Sequence, residues 1–230
     1  MTITVSGSSI TFPDSTTQTT AAGASIPGTL GQAFTSSGTF TIPSGVTALK
    51  VTVVGGGGNG GASGNAYSAG SGGGAGGNAI SYLTGLTSGN TIAVTVGGAG
   101  GQSKIASGTQ SISTVTANGG SNGNGGTQYS VAYGVSGGSA SGGNINITGS
   151  GGNPGFAYTY PCQSAPSISG AGGNSLYGFG GAATAASGTD HFTGNNGIGY
   201  GAGGAGGVCA GYGASVGGGS GTQGVVIFEW

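Results

Sequence analysis

Few side chains in this sequence could take part in catalysis. The charged and imidazole side chains are Lys50, Lys104, Asp14, Asp190, Glu229 and His191. Because Asp190 and His191 are neighbours, they could form an acid–imidazole pair that activates one of the many serines, as in a hydrolytic triad. Adjacent residues rarely take the orientation that a triad needs, so a loop contact is the simpler interpretation of this pair.

Other catalytic patterns are weaker still. Glycoside cleavage needs two carboxylates, but Asp14 and Glu229 lie in segments with the character of scaffold, which leaves Asp190 alone. Segment 199–204, GYGAGG, satisfies G-x-G-x-x-G, yet it lacks the preceding strand and following helix of a dinucleotide site. We therefore predict that the protein is not an enzyme and binds no cofactor.

The two cysteines, Cys162 and Cys209, allow a metal site or a disulfide. With Asp190 and His191 they could supply four metal ligands, but no C-x-x-C or H-x-x-x-H spacing is present, so we predict no metal. A disulfide could form after release into an oxidising medium. Free thiols are favoured for a protein made in a cytoplasm.

Aromatic residues in short inserts between glycine clusters are the best candidates for binding. Tyr, Ser, Gly and Asn form surfaces that recognise diverse targets at low entropic cost. The alternative is local packing that pins each loop to its scaffold. The candidate binding residues are Tyr129, Tyr133, Phe156, Tyr158, Tyr160, Tyr177, Phe179, Asp190, His191 and Phe192.

The scaffold that must position these inserts is rich in glycine. The chain has 62 glycines in 230 residues, only six of them precede Gly55, and they show no Gly-X-Y period. Glycine disfavours α-helix and gives a strand no side chains to pair. The ordered structure that remains is a bundle of three-residue-per-turn helices like polyproline II, packed side by side. A flexible linker is the alternative, but linkers do not carry regularly spaced aromatic and aliphatic residues.

Strand-like segments flank and interrupt the glycine-rich part. Apolar and polar residues alternate in 49–54 and 91–96, and apolar residues fill 224–230. We predict a mainly β and irregular fold without α-helix, in which a polyglycine-II-like bundle stands on a small β-sheet base and displays loops. The base comprises 33–54, 79–96 and 224–230. Residues 1–31 form a separate N-terminal segment and linker, and residues 32–230 form the glycine-rich domain.

The low charge also limits the partners. Two lysines cannot supply the phosphate contacts that nucleic-acid binding requires, and no run reaches transmembrane length. The N-terminus lacks the features of a secretory signal. We therefore expect synthesis in a cytoplasm, release by another route such as lysis, no nucleic-acid partner and no membrane insertion.

Two blocks resemble proteins of tailed bacteriophages. Residues 9–22, SITFPDSTTQTTAA, resemble an I-x-F-x-D-x-T-x-Q-T-x-A segment of tail-fibre and related appendage proteins. Residues 38–58, GTFTIPSGVTALKVTVVGGGG, resemble the start of the glycine-rich receptor-binding domain of tail-fibre adhesins, and the terminal GVVIFEW resembles its end. The matching positions in the second block are Phe40, Ile42, Pro43, Gly45, Val46, Val51, Val53 and 55–58.

This resemblance implies a virion protein whose tip adsorbs to the host surface through an outer-membrane protein or a glycan. It implies that the N-terminal segment contacts other fibre or tail proteins, through Ile10, Phe12, Asp14 and Gln18. Because short isolated sheets are marginal, we expect a homotrimer held through residues 1–54. The alternative is a single-chain tip on a trimeric fibre.

Three other functions remain open. A virion decoration or fibre-shaft protein would share the scaffold but lack receptor specificity. An ice-binding protein could be built from the same helices, although the bulky, irregular inserts disfavour its flat faces. A hydrolase would use Asp190 and His191.

Overall fold

The computed structural model describes residues 30–157 and 166–230, together with the backbone of 4–6, 9–11 and 17–18. Every regular element in these residues is a β-strand, which confirms the predicted mainly β and irregular fold without α-helix. Accordingly, the described residues include no helix that is long and apolar enough to span a membrane. The strands are numbered below in chain order.

The N-terminal strands form a small antiparallel sheet of their own. The strands are β1 (Thr4–Ser6), β2 (Ser9–Thr11) and β3 (Thr17–Gln18), in the order β1-β2-β3. Ile10 in β2 pairs with Val5 on one side and with Gln18 on the other. Phe12 and Asp14, the other two predicted attachment residues, lie outside the described residues.

Two five-stranded antiparallel sheets pack into a sandwich, which we call the base. The first sheet has the order β14-β8-β6-β22-β4, and the second has the order β13-β11-β10-β9-β5. The strands of the first are β4 (Gly31–Phe34), β6 (Ala48–Val54), β8 (Asn78–Thr84), β14 (Ile145–Ile147) and β22 (Val225–Glu229). The strands of the second are β5 (Gly38–Thr41), β9 (Thr91–Thr95), β10 (Ser103–Ser107), β11 (Val115–Ala117) and β13 (Ala140–Ser141).

Buried and exposed side chains alternate along these strands, and the buried ones form the core of the base. In β6, Val51 and Val53 face inward and are fully buried, and Ile92 of β9 meets them from the second sheet. Phe40 and Phe228 stack face to face across the sandwich, with ring centroids 4.0 Å apart. Offset or stacked aromatic pairs add to the stability that their buried area provides.

The base contains strands from outside the three segments that were predicted to form it. Residues 102–116 and 144–148 lie outside the predicted base segments, and they supply β10, the start of β11, and β14. The short alternating stretch around Ile105 forms the central strand of the second sheet, and the stretch around Ile145 forms an edge strand of the first.

Glycine-rich runs extend from the base and are joined by backbone hydrogen bonds with a period of three residues. In run 55–63, every third N–H donates to the antiparallel run 70–77, and another set of every third N–H donates to run 216–223. The pairs to the first neighbour are Gly55–Gly77, Gly58–Gly74 and Gly61–Ser71, with N–O distances of 2.8–2.9 Å. This is the bonding expected when three-residue-per-turn helices pack side by side.

Run 70–77 lies at the centre of this bundle. Its N–H groups donate in turn to runs 201–207, 118–126 and 149–153, and every residue of the run is buried. Close approach of the backbones makes glycine necessary here. A Cβ on Gly203 would collide with the carbonyl of Gly73 in the neighbouring helix. Glycine therefore lets each buried peptide group find a partner in another run.

Successive runs alternate in direction, so each insert is assigned to one end of the bundle. Runs 55–63, 118–126, 149–153, 180–182 and 201–207 lead away from the base, and runs 70–77, 134–138, 170–173, 194–197 and 216–223 return to it. The segments at the far end, which we call the tip, are 64–69, 127–133, 154–157, 166–169, 183–193 and 208–215. Segments 174–179 and 198–200 lie at the base end.

Small sheets organise both ends. At the tip, the sheet β12-β15-β16-β18 and the sheet β19-β21-β7 pack over a core of Ala69, Ala186, Val208 and Ala210. Their strands are β7 (Ala66–Ala69), β12 (Val131–Ala132), β15 (Gly155–Phe156), β16 (Ser167–Ile168), β18 (Ala185–Ala186), β19 (His191–Phe192) and β21 (Val208–Tyr212). At the base end, β17 (Tyr177–Phe179) pairs with β20 (Ile198–Tyr200).

Candidate functional site

Three tyrosines from separate tip segments form what we call the tyrosine cluster: Tyr67, Tyr129 and Tyr212. The rings of Tyr67 and Tyr129 stack with centroids 5.3 Å apart and 22° between their planes. Tyr212 meets Tyr67 edge to face at 5.4 Å, and 77% of its surface is exposed. The cluster therefore presents aromatic rings to solvent at the end of the bundle.

The backbone of this cluster is held in an uncommon conformation. Tyr67 has φ of +36° and Tyr129 has φ of +54°, and they are the only non-glycine residues with positive φ in the described part of the chain. The Tyr129 N–H donates to the Tyr67 carbonyl at 2.9 Å, and Gly213 donates to Asn65 at 2.9 Å. These bonds tie the three segments together. Such strain costs about 1–3 kcal/mol at each residue and is concentrated at functional sites.

Electrostatics at the tip are nearly neutral. Partial desolvation raises the pKa of the Tyr129 phenol, and the neighbouring Tyr212 raises that pKa further. Both lysines lie in the base, Lys50 on β6 and Lys104 on β10. No lysine or arginine in the tip can therefore pair with a phosphate or carboxylate.

A second exposed feature is an apolar row across the sheet β12-β15-β16. Val131 pairs with Phe156, and Phe156 pairs with Ile168, so the three side chains share one face. They are exposed by 37%, 45% and 37%, whereas Ala132 and Ser167 on the opposite face are buried. We call Val131, Phe156 and Ile168 the apolar row. An exposed line of large apolar side chains is typical of a contact surface.

The neighbours Asp190 and His191 lie at the tip without the geometry of a triad. Asp190 is exposed, and its carbonyl accepts a hydrogen bond from Ala210 at 3.0 Å. His191 pairs with Cys209 across β19 and β21, and its imidazole occupies the space above Gly213. The buried Nδ1 of His191 has no hydrogen-bond partner among the described residues. The His191 imidazole therefore contributes to the packing between two tip segments.

Tyr177 and Phe179 lie at the base end, away from the other candidate residues. Tyr177 pairs with Tyr200, and Phe179 pairs with Ile198. The Lys50–Glu229 ion pair, at 2.7 Å, lies close to Tyr177. The hydrogen bond with Glu229 raises the pKa of Lys50, while burial opposes that shift. Tyr177 and Phe179 therefore do not belong to the surface at the tip.

The structure brings six of the ten candidate residues to one end of the bundle. Tyr129, Tyr133, Phe156, Asp190, His191 and Phe192 lie in tip segments, and Tyr133 is 76% exposed. Tyr158 and Tyr160 lie outside the described residues. The binding residues predicted from the sequence did not include Tyr67, Tyr212, Val131 and Ile168. Alternation of the runs could have placed these four residues at the tip.

Two grooves among the described residues lie at the base end. One, of about 340 Å³, is lined by residues of β8 and by Ser111, Ile112 and Asn144. Another, of about 210 Å³, lies between Ile147 and Leu176. The described residues include no group of three or more His, Cys, Asp or Glu side chains that could hold a metal ion. The tip instead offers a projecting surface of aromatic and aliphatic side chains.

Comparison with known protein families gives one match. The sequence profile of a glycine-rich domain covers residues 13–230, which is nearly the whole chain. No curated protein sequence matches the chain at a significant level. The profile spans the base, the glycine runs and the tip segments that they carry. The chain therefore belongs to the glycine-rich domain family.

Proposed function

We propose that this protein is a bacteriophage tail-fibre or appendage protein whose tip adsorbs to the host cell surface. The observation that carries the proposal is the combination of a hydrogen-bonded glycine bundle with exposed Tyr, Phe, Val and Ile side chains at its far end. The bundle holds the tip segments 64–69, 127–133, 183–193 and 208–215 at both of their ends, so their side chains are ordered before they meet a receptor. Preorganised aromatic surfaces bind with a small loss of side-chain entropy.

The low charge supports adsorption under varied conditions. The chain has a formal net charge of −1 at pH 7, and its two lysines lie far from the tip along the bundle. Contacts that rely on stacking and apolar burial are less sensitive to ionic strength than ion pairs are. Adsorption should therefore persist over a wide range of salt concentrations. The receptor is an outer-membrane protein or a surface glycan.

The sequence resemblance to phage appendage proteins supports a virion location. In this proposal, residues 1–31 contact other fibre or tail proteins, through Ile10, Phe12, Asp14 and Gln18. The protein acts by binding and performs no chemistry. It has no nucleic-acid partner and does not insert into the membrane.

Competition for adsorption tests the proposal. Cells that the parent phage infects are incubated with purified chain, and the rate of phage adsorption is then measured. We expect the wild-type chain to block adsorption. Phe156→Ser should weaken blocking about tenfold or more, because interface energy is concentrated in a few aromatic and apolar residues. The matched control is Phe179→Ser, which changes an exposed phenylalanine at the base end and should block like the wild type.

Two outcomes would overturn the proposal. If the wild-type chain neither binds susceptible cells nor slows adsorption at micromolar concentration, it is not the receptor-binding tip. If Phe179→Ser abolishes blocking while Phe156→Ser leaves it intact, the binding surface is at the base end.

A structural virion protein without receptor specificity is the second candidate. It is favoured by the exposed pair Phe179 and Ile198 at the base end, at 74% and 71%, which could contact another virion protein. Phages whose chain lacks residues 156–168 distinguish the two functions. Normal assembly with normal adsorption supports the structural role, whereas normal assembly with lost or redirected adsorption supports the receptor-binding role.

A further inference from the structure

The tyrosine cluster has a geometry that side-chain packing alone does not explain. Tyr67 and Tyr129 both adopt positive φ, and their rings stack at 5.3 Å. Glycine would fit each backbone without strain, and this chain uses glycine freely elsewhere. Strain that is retained at two contacting tyrosines indicates that their rings must be held in place, and an observed outlier of this kind supports an inference of function.

The arrangement leaves aromatic surface available. Tyr212 stands edge to face against Tyr67 at an interplanar angle of 86° and is 77% exposed. Desolvation is the largest cause that raises the pKa of the Tyr129 phenol, and the neighbouring Tyr212 raises that pKa further. The cluster therefore combines ring faces with adjacent phenol hydroxyls, each of which can donate and accept a hydrogen bond.

The charge inventory restricts the ligand. The chain has no arginine, and its two lysines are in the base. A sialic acid, a phosphorylated sugar or another anionic group would find no lysine or arginine in the tip, and these are the side chains that normally hold such a group. The ligand that fits this cluster is therefore uncharged.

We propose that the tyrosine cluster stacks on an uncharged sugar ring of a host-surface glycan, an inference that rests on the proposed receptor-binding function. The C–H groups on one face of a sugar ring carry partial positive charge and lie on the negative face of an aromatic ring. The hydroxyls at the ring edge bond to the phenols of Tyr129 and Tyr212. Tyr212 supplies the exposed face, and Tyr67 and Tyr129 support it.

A defined set of neutral oligosaccharides tests the ligand class. The full chain is mixed with maltohexaose, cellohexaose, mannohexaose or chitohexaose at about 10 mM, and saturation-transfer NMR records contact with sugar protons. A stacked hexose has about a dozen non-hydrogen atoms, so we expect a dissociation constant of about 1 mM for the best probe. The transfer should be strongest at the ring C–H protons.

Variants identify the residue responsible. Tyr212→Ala should reduce the transfer at least about fivefold, and Tyr212→Phe should retain most of it because the ring remains. Tyr82→Ala is the matched control, since Tyr82 is 58% exposed but lies on β8 in the base. The inference is overturned if none of the four probes shows transfer, or if Tyr212→Ala leaves the transfer unchanged.

Treated cells separate this inference from the proposed function. Periodate destroys vicinal diols of surface glycans, and protease removes exposed protein loops. If binding of the chain is lost after periodate and kept after protease, the sugar contact is supported. If binding survives periodate and is lost after protease, the receptor-binding function stands and the sugar inference fails. If the chain binds no untreated susceptible cells, the proposed function itself fails.

Discussion

At the scale of single residues, the runs need glycine because it has no Cβ. The Cα of Gly203 lies so close to the neighbouring helix that an added Cβ would collide with the carbonyl of Gly73. Gly217 belongs to the same bundle, but an added Cβ there would meet nothing within 4 Å. A substitution at Gly203 therefore tests both close packing and the conformational freedom of glycine, whereas a substitution at Gly217 tests conformational freedom alone.

Alanine substitutions should distinguish these two positions. Gly203→Ala should lower the free energy of unfolding by about 2–3 kcal/mol, because overpacking forces two backbones apart. Gly217→Ala should change it by less than about 0.5 kcal/mol, or raise it slightly through the unfolded state. Chemical denaturation monitored at Trp230 measures both. Equal losses would contradict the close-packed bundle.

Cys209 provides a prediction about reactivity and pH. Its thiol is fully buried, and burial raises its pKa above 9.0. In a Cys162→Ser chain at pH 8, alkylation of Cys209 should be about tenfold or more slower in the native protein than in urea, because the thiolate is the reactive form. Equal rates in the two conditions would contradict the buried environment.

The same shift gives the sign of a pH effect on stability. The unfolded thiol ionises near pH 9.0, and the folded thiol ionises at a higher pH. The contribution of Cys209 to stability is therefore complete below about pH 9 and is lost as the pH rises through the folded pKa. A Cys162→Ser, Cys209→Ala chain, which lacks this titration, should show a smaller loss of stability between pH 9 and 11 than the Cys162→Ser chain.

At the scale of elements, the sandwich core stabilises the end from which the glycine runs emerge. Phe40 and Phe228 are both fully buried and stack across the two sheets. Phe228→Ala should cost about 3–5 kcal/mol, since it removes a large buried side chain and leaves a cavity. Phe179→Ala, at an exposed site, should cost less than about 0.5 kcal/mol. Thermal unfolding of both variants measures the difference, and similar midpoints would contradict the two-sheet core.

Strands could be predicted where the sequence contains enough alternating positions. β9 (Thr91–Thr95) and β22 (Val225–Glu229) coincide with segments that alternate or are continuously apolar. β14 is only three residues long and follows a glycine pair, so its pattern of Ile145 and Ile147 is too short to distinguish a strand from an insert. Its pairing with β8 depends on residues that are more than 60 positions away.

The end at which each insert lies was harder to predict than its aromatic content. Each glycine run is one pass along the bundle, so the number of preceding passes decides whether an insert reaches the tip. Tyr177 and Phe179 follow a returning run, and so lie at the base end. The tyrosine cluster was missed for a related reason: its members come from three segments separated by most of the chain.

At the scale of the whole molecule, the chain divides its roles between a sandwich, a bundle and a tip. Each backbone hydrogen bond adds only about 0.5–1.5 kcal/mol net. Cooperation among many runs is therefore needed to offset the entropy of ordering glycine. A single isolated run would be disordered, and the central run 70–77 is ordered because other runs surround it.

The assembly proposal is testable by light scattering. The full-length chain should be a homotrimer, and a shortened chain beginning at Leu30, which keeps β4 intact, should be a monomer if the N-terminal residues drive association. Closed cyclic symmetry is the usual arrangement of soluble homo-oligomers. A full-length monomer would contradict the trimer and favour a single-chain tip. A shortened chain that remains trimeric would place the association within residues 30–230.

Hydrogen–deuterium exchange of the amides in run 70–77, resolved by NMR, tests most directly whether the glycine runs are an ordered scaffold. Each of these N–H groups donates to a neighbouring run and is buried, so exchange should require global unfolding. We expect protection factors of about 10⁴ or more, similar to those of Val51 and Val53 in the base. Exchange of 70–77 within about tenfold of the rate for an unstructured peptide, alongside a protected base, would show a flexible linker and contradict the ordered glycine bundle.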